Sequence, residues 1–161
     1  MLKNITLLFT SLFIINGCTQ LSPKKQESAF IVIKTPKMKY ADMGFITDNR
    51  SKVKIEIYAA GQPLVAWEIN ALNICMSTFK CMEKQDFNKE FLTNAYPDTL
   101  LENIFKGEVI FKKEGYEKVD NGFMQTIKEE KLYNITYKVI DGERIFRDKL
   151  NKILIKVREQ K

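Results

Sequence analysis

The feature that most narrows what this chain can fold into is strict alternation of apolar and polar residues. In Lys52–Ala59, Val53, Ile55, Ile57 and Ala59 fall on one side and Lys52, Lys54, Glu56 and Tyr58 on the other. Leu132–Ile140 repeats the pattern with Tyr133, Ile135, Tyr137 and Val139. A period of two places one face of a strand on a core and the other in water. Ala29–Lys34, Lys37–Ile46, Leu64–Ile69 and Leu72–Cys75 extend the strand reading through the first half. Glu108–Lys112, Tyr116–Val119, Phe123–Ile127, Glu143–Asp148 and Lys152–Glu159 extend it through the second. Parallel strands need crossovers of a dozen residues or more. Most connections here are far shorter, so the strands are expected to be antiparallel. Asp141-Gly142 is a two-residue hairpin signal, and Thr47–Ser51 and Asp120-Asn121-Gly122 read as turns.

Helix signals interrupt this pattern in the middle. Asp86 can cap Phe87–Asn94, which sets Phe87 and Phe91 on one face. Pro97 and Asp98 suit a first helical turn, Lys106 a last one, and Gly107 the residue after it. Leu100, Leu101, Ile104 and Phe105 form the apolar stripe between them. Strands, two helices, then strands predict an α+β fold: a single curved antiparallel sheet, a half-barrel, with two short helices packed on one face.

The first 28 residues carry no such period. Lys3 precedes an apolar run from Ile5 to Ile15, interrupted only by Thr6, Thr10 and Ser11. A membrane-spanning helix needs about 20 apolar residues, so the run fits the core of a signal peptide. Ile15-Asn16-Gly17-Cys18 resembles the lipobox of bacterial lipoproteins. That resemblance implies cleavage after Gly17 and lipidation of Cys18, so that residues 1–17 are removed. Residues 18–28 are polar and contain Pro23, and read as a flexible tether; residues 29–161 are left as one domain. Thr19 stands where Asp favours inner-membrane retention in such proteins, which implies the outer membrane, facing the periplasm.

The chain has no histidine. This removes the commonest general base and zinc ligand. The net charge of +6 is spread along strands and forms no nucleic-acid footprint. Glu68, inside an apolar run, is the nearest candidate for a tuned carboxylate and reads as a solvent-facing strand residue. No catalytic constellation or cofactor motif is present in the sequence, and no enzyme is expected. In an oxidising compartment Cys75 and Cys81, six apart, are expected to form a structural disulfide.

Two apolar features remain. Phe45, Ile57, Trp67, Leu101, Phe105 and Tyr137 are candidates for lining a groove between sheet and helices, the kind of site that takes lipid chains. Ala60, Gly61 and Leu64 belong to a turn with apolar neighbours, a candidate membrane-touching loop. Leu64 is either the tip residue or the first of the next strand. The order of features is similar to the outer-membrane lipoprotein-localisation receptor family (LolB-like). Lys54–Ile69, Asp86–Gly107 and Leu132–Val157 carry the resemblance, as a strand–loop–strand unit, a helix pair and a closing hairpin. It implies an acyl-binding cavity, partners among the acyl chains of other lipoproteins or a periplasmic carrier, and a role in lipoprotein or lipid insertion. The alternative expectation is a non-enzymatic envelope lipoprotein acting as a structural, adhesive or protein–protein adaptor module. The two differ in whether the space between sheet and helices is open or filled.

Overall fold

The computed structural model describes residues 25–76 and 80–160. The expected signal segment, Cys18 and the first part of the expected tether lie outside the described residues. The described residues form one antiparallel sheet of eleven strands. The first six are β1 (Lys25–Lys34), β2 (Lys39–Asp48), β3 (Val53–Ala59), β4 (Gln62–Ile69), β5 (Asn73–Met76) and β6 (Lys80–Glu83). Two helices follow, α1 (Lys84–Phe91) and α2 (Leu100–Lys106). The last strands are β7 (Tyr116–Val119), β8 (Gly122–Glu129), β9 (Tyr133–Ile140), β10 (Glu143–Asp148) and β11 (Ile153–Glu159). Each half is a meander of sequential hairpins, and the pairing of β1 with β11 joins the halves. β6 and β7 are the free edges, so the sheet is not closed.

The expected α+β class is therefore corrected. Eleven paired strands dominate, and the helices are only eight and seven residues long. Lys80–Glu83, not expected as a strand, pairs in register with β5, and the second helix begins only at Leu100. Asn73–Met76 and Tyr116–Val119 form close to where the sequence places them and lengthen the sheet at its edges. The helices do pack on one face. Phe87, Leu100, Leu101, Ile104 and Phe105 join the buried cluster formed by Ile31, Ile55, Ile57, Trp67, Tyr137, Phe146 and Ile155 on the strands.

Local boundaries moved for physical reasons. α1 begins at Lys84, before Asp86, and has no side-chain cap. α2 begins at Leu100, because Pro97 C=O accepts from Leu100 N–H in a preceding turn. Its end is as expected: Gly107 has φ 74°. Gly107 N–H donates to Ile104 C=O and Glu108 N–H to Asn103 C=O, the paired bonds of a Schellman cap. The strand expected at Glu108–Lys112 does not form. Gln125, fully buried, bonds Ile110 through both its N–H and C=O and also takes Glu114 C=O. The backbone between them folds into a short turn, with Phe111, Lys112 and Lys113 all in the left-handed region. Lys25–Ser28, expected as the end of a tether, instead pair with Phe45–Asp48 as the first residues of β1.

Cys75 and Cys81 are joined across the β5–β6 hairpin. A loop this short gives about 2 kcal/mol on the chain-entropy account. Cys75→Ala/Cys81→Ala is expected to lose that amount in urea unfolding, and reductant should shift the wild-type midpoint alone. A wild-type midpoint indifferent to reductant would show that the thiols are not joined in solution.

Candidate functional site

The sheet has two distinct faces. Pairing places Ile31, Ile46, Ile55, Ile57, Trp67, Tyr137, Phe146 and Ile155 on the inner face, against the helices. Between them alternate the outer-face residues, among them Phe45, Glu56, Tyr58 and Glu68.

Five of the six expected groove residues come together on the inner side. Ile57 and Tyr137 are 0% exposed, Phe105 1%, Leu101 2% and Trp67 4%. At such values the side chains pack against one another and leave no space among them for an acyl chain. The helices fill it themselves. Phe87 from α1 meets Trp67 edge-to-face, 5.4 Å between centroids. Leu101 and Phe105 from α2 supply the aliphatic and aromatic contacts that a bound chain would otherwise make. Aromatic neighbours complete the packing on the other half, with Tyr137 against Phe123 at 5.7 Å. The sixth residue, Phe45, stands on the outer face opposite Glu56 and is 40% exposed.

Phe45 belongs instead to an exposed apolar patch. Its ring meets Tyr58 edge-to-face at 5.9 Å. Met43, two residues earlier on the same face, is 41% exposed. Leu64, 54% exposed, shares a depression with Tyr58, Pro63 and Ala66, whose lining also includes the charged Lys54, Glu56 and Glu68. The β3–β4 hairpin that presents Leu64 turns through Ala60 and Gly61 at φ 50° and 77°. Both central residues are left-handed, as a type I′ hairpin requires. Ala60, Gly61 and Leu64 are all exposed, and Leu64 belongs to β4 rather than to the tip. A monomeric surface rarely places several large apolar side chains side by side without a use for them.

Among the described residues, Glu68 and Glu102 meet lysines in ion pairs. Glu68 lies on the outer face and pairs with Lys52 at 2.7 Å. Glu102 on α2 receives Lys84 at 3.1 Å and Lys106 at 2.8 Å. Burial favours its neutral form, but the hydrogen bonds from Lys106 and Lys84 outweigh that and hold its carboxyl below the ordinary value. Among the described residues, no group of three His, Cys, Asp or Glu side chains is placed to hold a metal.

Two buried polar centres carry no signal in the spacing of the sequence. Arg144, on the inner face of β10, gives both guanidinium nitrogens to the two carboxylate oxygens of Glu27 on β1. It also donates to Phe105 C=O at the end of α2, at 2.8 Å. The one hint is positional, for Arg144 alternates with Phe146 and Asp148 on the core side of its strand. Asp148 is the second centre. It accepts the Tyr96 hydroxyl at 2.5 Å and backbone N–H groups of Asn134 and Leu150 at 3.0 and 2.9 Å. Both centres brace the fold: the Glu27–Arg144 pair borders only a small pocket with Lys25, Asp48 and Lys106, and Tyr96 of the second lines an open depression with Pro97, Thr99 and Phe111 while Asp148 itself is 1% exposed.

The chain matches no protein-family model, and the search of curated proteins returned no match.

Proposed function

We propose that this protein is a non-enzymatic envelope lipoprotein, tethered through Cys18, that works as an adaptor through the outer face of its sheet. One observation carries the reading. The interior expected to receive acyl chains is occupied by the protein's own helices, while Met43, Phe45 and Leu64 stand exposed together outside. Burying such residues against a partner contributes about 25 cal/mol per Å² of apolar surface. The tether rests on the lipobox resemblance of residues 15–18, and the outer membrane is its expected location.

Acyl-chain carriage of the lipoprotein-localisation kind would require α2 to leave the sheet. Leu100, Leu101, Ile104 and Phe105, each at most 2% exposed, would then lose their partners together. Exposing even one such side chain costs about 1.5–3 kcal/mol.

The test uses the native, full chain. Mass spectrometry is expected to find a mature protein that begins at an acylated Cys18. The same protein, titrated with a fluorescent fatty acid, is expected to show no saturable uptake. An unmodified Cys18 would end the tether, and saturable uptake abolished by Leu101→Asp would replace the adaptor reading with acyl carriage.

A further inference from the structure

The strands run between two ends of the sheet, and those ends differ in charge. At one end lie Lys25 and the turns at 49–52, 70–72, 120–121 and 141–142. Its charges are mixed and partly paired. Lys25 lies opposite Asp48, and Glu143 receives Lys156 at 2.7 Å and Arg158 at 3.3 Å.

The other end carries the turns at 35–38, 60–61, 130–132 and 149–152. Here bases gather without partners. Lys39, Lys34, Leu154 and Arg147 stand in register on the outer face of four adjacent strands. Lys149 and Lys152 extend the row beyond the strand ends. Among the described residues, none of these five bases lies in an ion pair, and all five are exposed. Lys34 and Lys39 are directly opposed and repel each other. The acids nearby do not neutralise the row. Asp148 is buried and turned inward, Glu129 ends β8 and Glu130 sits on the turn after it, and Asp86 and Glu90 of α1 line a depression with Lys37, outside the row.

Leucines stand among the bases. Leu150, 50% exposed, lies between Lys149 and Lys152, and Leu132, 47% exposed, follows Lys131. Asn151 ties the two turns together by donating to Leu132 C=O at 2.8 Å. Bases alone would suit any polyanion. Bases around exposed leucines suit a surface with anionic headgroups above hydrocarbon.

We propose that this end of the sheet docks on an anionic phospholipid bilayer, with the lysines on headgroups and Leu132 and Leu150 entering the interface. The rim stands independently of the lipid tether; only the choice of bilayer rests on the tether reading. β1 runs about 30 Å from Lys25 to the rim. The seven residues from Cys18 to Lys25 reach at most about 25 Å. With its strands upright, the domain cannot turn the rim down onto the bilayer that holds Cys18. The rim instead faces outward, toward a second membrane.

The experiment loads the full chain onto neutral phosphatidylcholine vesicles through its own N-terminus. Fluorescent vesicles are then added, either neutral or containing one-quarter phosphatidylglycerol, and co-flotation is read. Capture of the anionic vesicles alone is expected. It should fall at least about tenfold in Lys34→Glu/Lys149→Glu/Lys152→Glu and in high salt. It should fall several-fold in Leu132→Ser/Leu150→Ser, and remain unchanged in Arg50→Glu at the opposite end. Unaltered thermal unfolding of the triple variant separates lost docking from lost fold. Equal capture of both vesicle types, or of neither, overturns the proposal. Capture that soluble polyphosphate abolishes and the leucine changes leave intact overturns the bilayer in favour of a soluble polyanion. Failure of the chain to stay on the neutral vesicles counts against the tether alone, and flotation of the free chain with anionic vesicles then decides the rim.

Discussion

Arg144→Met, in a chain that keeps Glu27, is expected to lower the unfolding free energy by about 3–5 kcal/mol. The guanidinium joins three elements that the sequence holds far apart. It pairs with both oxygens of Glu27 on β1, lies on β10, and donates to Phe105 C=O where α2 ends. Arg144 and Glu27 side chains are only 7% and 6% exposed. Removing the cation leaves a buried carboxylate without its counter-charge and a helix-terminal carbonyl without its donor, and a helix C-terminus already favours a cation. The loss therefore reflects stranded groups and not the net strength of the pair. A second variant shows this. Glu27→Leu/Arg144→Met should recover most of the stability, because well-packed apolar replacements of a buried pair are often neutral or stabilising. Urea unfolding of both variants, with Glu27→Leu alone to close the cycle, measures the coupling. A cost below about 1 kcal/mol for Arg144→Met would mean that the pair is not closed in solution.

The same pair shows where the sequence could be read and where it could not. Alternation in Lys52–Ala59 and Leu132–Ile140 located β3 and β9 nearly to the residue, because each buries one face and exposes the other. The cap at Gly107 was legible because a left-handed residue after an apolar stripe has few other uses. Glu27 was not legible, since it lies in a polar run resembling a tether and its partner is 117 residues away. Glu108–Lys112 failed for a related reason. Its β-favouring residues lost to Gln125, one buried amide that captures the backbone on both sides of Phe111. The candidate site divided in the same way. Composition identified the aliphatic and aromatic residues that meet between sheet and helices. It could not show that α1 and α2 would bring enough bulk to fill that space. Phe45 was misplaced by parity alone: on a strand, one residue's shift moves a side chain to the opposite face.

Asp148→Ala is expected to cost about 3 kcal/mol, and to lose part of that difference in acid. The carboxylate collects Tyr96, which crosses from the segment between the helices, the backbone of Asn134 on β9, and the turn that leads into β11. Truncation strands a buried hydroxyl and backbone N–H groups at about 1–3 kcal/mol each, with water able to rescue those near the turn. The pH dependence follows from the same contacts. Burial favours the neutral acid, but the hydrogen bonds from Tyr96 and Asn151 and from the amides of Asn134 and Asn151 together outweigh it. They hold the Asp148 carboxyl below its ordinary value. A folded-state value below the unfolded one stabilises fully above the unfolded pKa of about 4, and that contribution fades as pH falls through the folded value. Tyr96 remains a donor throughout, because burial and the adjacent Asp148 both push its own ionisation upward. Glu102 and Glu143 are also held low by their lysine and arginine partners, so the wild type loses stability in the same acid range through them as well. They are common to both proteins, and the gap between wild type and Asp148→Ala isolates Asp148. That gap is expected to be constant from pH 7 to 5 and to narrow below pH 4 in urea unfolding. A gap that holds its width down to pH 2 would show that Asp148 serves by shape and packing, with no contribution from its charge.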